Sequence, residues 1–287
     1  MHIPKHIVLA TDLTLAADPA MTVAARFAKA LKIGLTIFHV FQYVPRHEYH
    51  VPVDWMVYEL RRKVELKLDS MRQTLADLQI EAHVSVVEDG DPFREILSFL
   101  SGIDSPLVVM GTHASAGIER FILGSTAEAV LRQVLCPAVT VGPFAEASEL
   151  DQFRRILIAS DEPEDLDGLV RNALPLLHPI CGILEILHVI SSPDEPMPFA
   201  DREALVAALE QKGIGRNRIR FQKLHAKSVA QAVVNEAERD STELIVLVAR
   251  GSSEAATHVA PGIAIQIVAA APCPVLTLRR SSRSEAP

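Results

Sequence analysis

Apolar residues in the first half of the chain fall in short continuous runs, separated by longer segments with helical spacing. Runs of this kind, rich in β-branched residues and without strict alternation, are typical of strands buried on both faces of a sheet. Their alternation with helical segments predicts an α/β fold with a parallel sheet. The predicted strands are Ile7 to Ala10, Leu35 to Val40, His83 to Val87, Leu107 to Met110 and Ala138 to Val141.

The clearest helical segment extends from Asp54 to about Gln79. Apolar residues recur in it at steps of three and four, which predicts one apolar stripe that faces the sheet. The stripe consists of Val57, Leu60, Val64, Leu68, Met71, Leu75 and Leu78. A further helix is predicted to begin at Asp91-Pro92, with the aspartate as its cap and the proline at the first helical position, where its missing N–H costs nothing.

The same pattern occurs a second time along the chain. Asp12 and Asp161 lie 149 positions apart, and so do His39 and His188 in the next apolar run. Later matches lie 137 or 138 positions apart, so the second copy is shorter by about a dozen residues. An internal repeat of this length predicts two tandem domains. Strands of the second copy are predicted near Ile156, Ile183, Ile219, Leu244 and Val275.

We place the first domain at residues 1–145 and the second at residues 152–280, with a polar linker between them. The formal net charge of -8 over 287 residues disfavours binding to a nucleic-acid backbone. No apolar run approaches the roughly 18 residues that cross a bilayer. We therefore expect a cytoplasmic protein with no nucleic-acid or membrane partner. Cys136, Cys181 and Cys273 lack C-x-x-C spacing, which predicts small buried residues rather than disulfides or a zinc site.

A loop that contains glycine follows the fourth strand of the first copy. Gly111 opens it, and nine residues separate Ala114 from Gly124-Ser125 at a predicted helix start. In a doubly wound sheet, ligands bind at the carboxyl ends of the strands, where a glycine turn and a helix N-terminus offer amides to phosphate. Gly111 is expected to supply a turn with positive φ, and Gly124 a close backbone approach. Ser125 and Thr126 add two hydroxyl groups.

Two of these candidate residues have an equally simple structural explanation. Ser125 and Glu128 have the spacing of a capping box, in which the serine closes its own helix. Asp12 either accepts hydrogen bonds from a ribose or a base amine, or caps the helix that follows it. Both alternatives stay open at this point. Asp12, Val40 and Gly111 all fall at the same end of a parallel sheet, which favours a shared ligand.

These residues resemble the universal stress protein family, in its tandem two-domain form, over nearly the whole chain. The shared features are a first strand followed by Asp, a second that ends in His-Val, a Met-Gly strand end, the spaced Gly-Ser pair, and Cys-Pro before the last strand. The resemblance implies two tandem, doubly wound, five-stranded parallel sheets of the Rossmann-like, adenine-nucleotide α-hydrolase type, each in strand order 3-2-1-4-5. It also implies ATP or a related adenine nucleotide, with or without Mg²⁺, bound by Ala10, Thr11, Asp12, Val40, Met110, Gly111, His113, Ala114, Gly124, Ser125 and Thr126.

The chain departs from the family pattern in two places. Ala114 stands where the pattern has its second glycine, at an expected cost of about 1 kcal/mol in phosphate binding. The second copy has Pro261-Gly262 but no Gly-Ser pair at its helix start, so we expect no nucleotide there.

The function that this resemblance implies is a nucleotide-dependent regulator in the stress response. The alternative is a scaffold that binds other proteins without nucleotide, and slow ATP hydrolysis assisted by His113 is a weaker hypothesis. No catalytic residue and no metal site are predicted, because His47 and His50 are more simply residues of a surface loop than metal ligands. In the family the last strands pair across a two-fold axis. This implies an internal pseudo-dimer of the two domains, and a homodimer through the same strands is a further expectation.

Overall fold

The computed structural model describes residues 3–14, 17–42, 53–112, 124–146, 152–160, 173–190, 202–249 and 261–279. The predicted site residues His113 and Ala114 lie outside these ranges, and so do His47, His50 and Asp161. Within the ranges, every helix is too short or too polar to cross a membrane.

Strands and helices alternate through the first half of the chain, as the apolar pattern predicts. The strands are β1 (His6–Ala10), β2 (Gly34–Phe41), β3 (Ala82–Glu88), β4 (Pro106–Gly111) and β5 (Ala138–Val141). The helices are α1 (Ala17–Leu31), α2 (Val53–Asp77), α3 (Pro92–Ser101) and α4 (Ser125–Gln133).

The second half repeats this order. Its strands are β6 (Phe153–Ser160), β7 (Cys181–Ile190), β8 (Ile219–His225), β9 (Leu244–Ala249) and β10 (Val275–Arg279). Its helices are α5, described at residues 173–177, α6 (Arg202–Gln211), α7 (Val229–Arg239) and α8 (Pro261–Ala270). A short 3₁₀ turn at Arg216–Arg218 leads into β8.

All ten strands form one sheet, in the order β3-β2-β1-β4-β5-β10-β9-β6-β7-β8. Each half therefore has the predicted order 3-2-1-4-5. Neighbouring strands are parallel except at the centre, where β5 and β10 pair antiparallel with Val139 opposite Leu276. The two five-stranded sheets are thus joined edge to edge inside one chain. A homodimer through β5 and β10 would have to replace this internal pairing, because both strands have a neighbour on each side.

Apolar side chains of the strands point alternately to the two faces of the sheet, and helices cover both faces. In β1, Ile7 and Leu9 face α1 and α2, whereas Val8 packs on the side of α3 and α4. Each of the two hydrophobic clusters runs through both halves of the chain. The sheet is therefore buried on both faces, which is why its strands appear in the sequence as continuous apolar runs.

The expected burial of the whole α2 stripe is wrong. Leu68, Met71 and Leu75 are buried, but Leu60 and Leu78 are 39% and 43% exposed. The reason is length: 25 helical residues span about 38 Å, whereas an eight-residue strand such as β2 spans about 26 Å. The first turns of α2 therefore extend past the carboxyl end of the sheet.

Arg26 of α1 connects the two halves away from the central strands. Its side chain is only 4% exposed. It donates hydrogen bonds to the carbonyl oxygen of Gln152 at 2.8 Å and to Oε2 of Glu243 at 3.1 Å. Its guanidinium lies 3.7 Å from the ring centroid of Phe153. A buried cation of the first half is thus satisfied by the backbone, a carboxylate and an aromatic ring of the second half.

Gly142, directly after β5, lies close to the backbone of α8 in the second half. A Cβ at this position would lie 2.6 Å from the carbonyl oxygen of Val268 in α8. Only glycine leaves enough room for the two backbones to approach this closely.

Candidate functional site

A cavity of about 500 Å³ opens at the carboxyl ends of β1, β2 and β4 in the first half. In the strand order 3-2-1-4-5, the chain reverses its direction across the sheet between β1 and β4, and ligands of doubly wound folds bind at this switch point. The cavity is lined by Ala10, Thr11, Asp12, Phe38, His39, Val40, Phe41, Gln42, Leu60, Val64, Pro92, Ile96, Met110, Gly111, Thr126 and Ala127.

Most of the predicted site residues meet at this cavity. Ala10, Thr11 and Asp12 come from the end of β1, and Val40 comes from β2. The remaining members that line it are Met110, Gly111 and Thr126, while Gly124 and Ser125 lie immediately before Thr126 at the start of α4. The structure therefore places seven of the nine described site residues on the cavity wall and the other two next to Thr126 in the sequence.

Val40 offers its backbone to the cavity. The carbonyl oxygen of Phe38 accepts a hydrogen bond from the amide of Thr11, at 3.0 Å, where β1 ends. Alternate residues of a strand direct their backbone groups to the same side, so the N–H and C=O of Val40 point to this side as well. Since β1 stops at Ala10, no residue of β1 lies beside them, and Val40 lines the cavity. One donor and one acceptor side by side match the edge of an adenine base.

Asp12 belongs to a tight loop whose shape is fixed from two directions. Its Oδ1 accepts hydrogen bonds from the amide and the hydroxyl of Thr14, at 3.1 and 2.7 Å. Leu13 has a φ of 62°, an uncommon conformation for a residue with a side chain. The ammonium group of Lys67, in α2, donates to the carbonyl oxygen of Leu13 at 2.8 Å. The carboxylate thus organises its own loop and is held exposed at the mouth of the cavity.

The start of α4 settles the capping alternative. Gly124, rather than Ser125, is the N-cap residue, and no side chain caps the helix. Glu128 instead accepts two hydrogen bonds from Arg132, at 3.0 and 2.7 Å. The capping-box interpretation of Ser125 is therefore wrong. The amides of the first helical turn precede the first internal hydrogen bond, from Glu128 to Gly124, and are oriented for an anion.

The two glycines of the loop do not have the backbone that their sequence suggested. Gly111 is the last residue of the extended strand β4, where it pairs with Val141. Gly124 has φ −54° and ψ 137°, which any residue adopts. The expected positive φ at Gly111 is therefore wrong. What both glycines provide is the absence of a side chain beside the cavity.

His39 is a cavity residue that the sequence analysis did not include. Its side chain is 7% exposed, and its Nδ1 lies 2.9 Å from the carbonyl oxygen of Thr11. This contact ties β2 to the loop after β1. The signal was present in the sequence, because the pair His39-Val40 recurs as His188-Val189. Leu60 and Val64 also line the cavity and were not predicted to do so. The apolar stripe of α2 does not show that this helix extends past the sheet.

Asp12 is the only charged side chain among the described residues that line the cavity. An anionic ligand would therefore be held there by backbone amides and by the positive end of the α4 dipole rather than by lysine or arginine side chains of the described lining.

The corresponding edge of the second half is more closed. Val189, the counterpart of Val40, is 1% exposed, and Ile190 is 5% exposed. The strand that corresponds to β4 ends in Ala249 instead of glycine, and α8 begins with Pro261. In the described part of this edge, the valine is thus more buried, the glycine is replaced by alanine, and a proline without an N–H begins the helix.

The universal stress protein family model matches residues 4–142 and 152–279, so the chain belongs to this family as a tandem pair. A universal stress protein of Methanocaldococcus jannaschii is 27% identical over 139 residues, which are 48% of this chain and 81% of that protein. One of Thermus aquaticus is 26% identical over 137 residues, 48% of this chain and 98% of that protein.

Two solved structures extend over both halves. A universal stress protein from Archaeoglobus fulgidus has a TM-score of 0.74 at 20% identity and covers 98% of this chain and 100% of its own. A protein of unknown function from Pseudomonas aeruginosa has a TM-score of 0.58 at 14% identity, covering 96% of this chain and 92% of its own. At these identities the likeness concerns the fold, and it extends to the tandem arrangement.

Proposed function

We propose that the first half binds ATP or a related adenine nucleotide and that the protein acts in the stress response as a nucleotide-dependent regulator. The observation that carries the proposal is the convergence of two recognition elements on one cavity. The unpaired backbone edge of Val40 lies on one side, and the uncapped N-terminus of α4 lies on the other.

The dimensions and chemistry of the cavity suit such a ligand. About 500 Å³ lies within the range of small-molecule sites. The apolar walls around Phe38 and Ile96 suit a purine ring, and the exposed carboxylate of Asp12 suits the hydroxyl groups of a ribose. The phosphates would then extend toward Gly111 and the amides of α4. One carboxylate does not define a magnesium site, so Mg²⁺ would enter together with the nucleotide.

We further propose that the second half binds no nucleotide. The burial of Val189 and the proline at the start of α8 support this, because both remove features on which binding in the first half depends. The cytoplasmic location and the weakening effect of Ala114 stay predictions.

The test is a measurement of ATP binding by equilibrium dialysis on the full chain and on Gly124→Asp. We expect about one site per chain. The variant should bind on the order of 1,000-fold more weakly, because like charges about 4 Å apart repel by roughly 4 kcal/mol at the effective dielectric of a protein surface. Gly262→Asp, the same change at the start of α8, is the matched control and should bind like the parent.

Undiminished binding by Gly124→Asp would show that the site is misplaced. An absence of ATP binding by the parent would favour the scaffold hypothesis. Phosphate release is measured in the same samples, and release that persists in Gly124→Asp would come from a contaminant rather than from this site.

A further inference from the structure

A second cluster of functional groups lies in the other half of the protein. It consists of three carboxyl groups: Glu185 on β7, Glu236 on α7 and Asp240 directly after α7. One oxygen of each lies within 4.8 Å of the others. Glu185 and Glu236 are 2% and 3% exposed, so two of the three are almost completely withdrawn from water. Buried carboxylates are rare unless a cation or a hydrogen bond compensates them.

Two arginines compensate part of this charge. Nη1 of Arg155 lies 3.1 Å from Oδ2 of Asp240. Arg239 contacts both Glu236 and Asp240, the latter at 3.3 Å. Three carboxylates thus face two guanidinium groups. Glu185 shares a hydrogen bond with Asp240, but its buried Oε2 accepts none from any residue in the described part of the chain.

The fold itself does not require these carboxylates, as the first half shows. Thr36, 149 positions before Glu185, occupies the equivalent place in β2 and bonds to Nε2 of His6 at 2.8 Å. The helix caps Asp91 and Ser228 are 137 positions apart, and each accepts a hydrogen bond from the amide three residues later.

With the two helices aligned at these caps, Phe99 and Ile103 are the first-half residues equivalent to Glu236 and Asp240. Both counterparts pack against the apolar cluster of their face of the sheet. The same architecture is therefore stable with neutral residues at all three positions. The three carboxyl groups of the second half, two of them buried, are therefore an addition to the fold and not a requirement of it.

We propose that Glu185, Glu236 and Asp240 bind a divalent cation of the hard, oxygen-preferring class, with the size of Ca²⁺. Ca²⁺ binds oxygen at about 2.3–2.6 Å, so two ligand oxygens on opposite sides of the ion lie about 4.6–5.2 Å apart. The corresponding limit for Mg²⁺ is about 4.2 Å. The spacing within the cluster suits the larger ion, and the side chain of Asp240, which is 22% exposed, provides an entrance from solvent.

The two arginines limit the affinity of this site. They stay in contact with Glu236 and Asp240 and repel a second cation nearby. We therefore expect weak binding, with a dissociation constant on the order of 10⁻⁴ to 10⁻³ M, as in extracellular calcium modules.

The test uses the full chain without nucleotide, treated with EDTA and dialysed at pH 8, with ionic strength held constant by NaCl. Ca²⁺ is titrated and followed by isothermal calorimetry and thermal unfolding. One site per chain is expected, and Tm should rise by about 3 °C at ten times Kd. Mg²⁺ should give a smaller rise. Glu185→Gln should abolish the response, whereas Glu203→Gln should keep it, because Glu203 is an exposed carboxylate of the same half that pairs with Arg216.

Three results would overturn the proposal. The first is no binding of Ca²⁺ by the parent. The second is an unchanged response in Glu185→Gln, or in Asp240→Asn should the first variant not fold. The third is a parent without a cation response whose Tm falls between pH 5 and pH 8 while that of Glu185→Gln stays constant. That last result would mean that a proton, and no metal, occupies the cluster.

Discussion

The two halves of this protein share a strand order and both helical layers, yet they differ in two places along the sheet. At the carboxyl ends, Val40 is partly exposed beside a cavity, whereas Val189 is buried. Within the strands, the buried Thr36 of β2 stands where β7 has Glu185. Packing on both faces keeps the strands and their order alike, whereas single side chains differ in the polar groups that they offer. Each half thus combines the same fold with a different set of groups for a ligand.

The largest expected effect comes from moving a carboxylate into the first half, which has no arginine at the positions equivalent to Arg155 and Arg239. Thr36→Glu should lower the free energy of unfolding by about 4 kcal/mol, because an unpaired buried charge would face the apolar residues Phe99 and Ile103. His6 occupies the position in the first half that Arg155 occupies in the second. The pKa of His6 is lowered, chiefly by burial. Urea denaturation measures the change.

Glu185→Thr is the reciprocal exchange and should cost less than about 1 kcal/mol or stabilise the protein at pH 8, since it removes a buried charge that lacks a full partner. Equal destabilisation by the two exchanges would contradict this difference, because it would show that both halves respond in the same way to a change at this position.

A smaller effect is expected where the halves meet. Gly142→Ala should destabilise by about 2 kcal/mol, because the new methyl group would lie 2.6 Å from a backbone oxygen of α8 that cannot move independently. Gly102→Ala is the matched control, since its Cβ would make an ordinary contact of 3.6 Å. Differential scanning calorimetry compares the two variants. Identical Tm values would mean that the junction yields without cost.

The smallest effect is expected at the N-caps of α3 and α7, which are equivalent helices of the two halves. Asp91→Ala and Ser228→Ala should each cost about 1 kcal/mol, because each removes a side chain that accepts from an orphan amide of the first helical turn. The two losses should add in the double variant, since the caps lie in different halves. Chemical denaturation provides the values, and a marked inequality would contradict their structural equivalence.

Much of this fold could be predicted because strands buried on both faces leave continuous apolar runs. The offset of 149 between His39 and His188 defined the repeat, and the strand positions near Ile156 and Val275 are confirmed. The exposure of Leu60 in the stripe of α2 was not predictable, because the length of a helix relative to its neighbouring strands determines burial. The N-cap at Gly124 was also not predictable, because Ser125 has the capping-box spacing but lies one residue inside the helix.

The candidate site could be predicted in part. Residues at strand ends, such as Asp12 and Val40, are brought together by parallel topology alone. The acidic cluster could not be predicted from the sequence, because Glu185 and Glu236 lie 51 positions apart and form no motif. It emerges only when helix α7 is packed on β7.

The antiparallel pairing of β5 with β10 changes how the protein responds to dilution. When separate chains pair through such strands, folding and association depend on protein concentration. Here the second strand is always present at the high effective concentration that a covalent connection provides, so this pairing by itself adds no dependence of the unfolding midpoint on protein concentration. In a pair of identical chains, every mutation is present in both subunits. Covalent pairing releases the protein from that symmetry, and a change in one half need not be tolerated by the other.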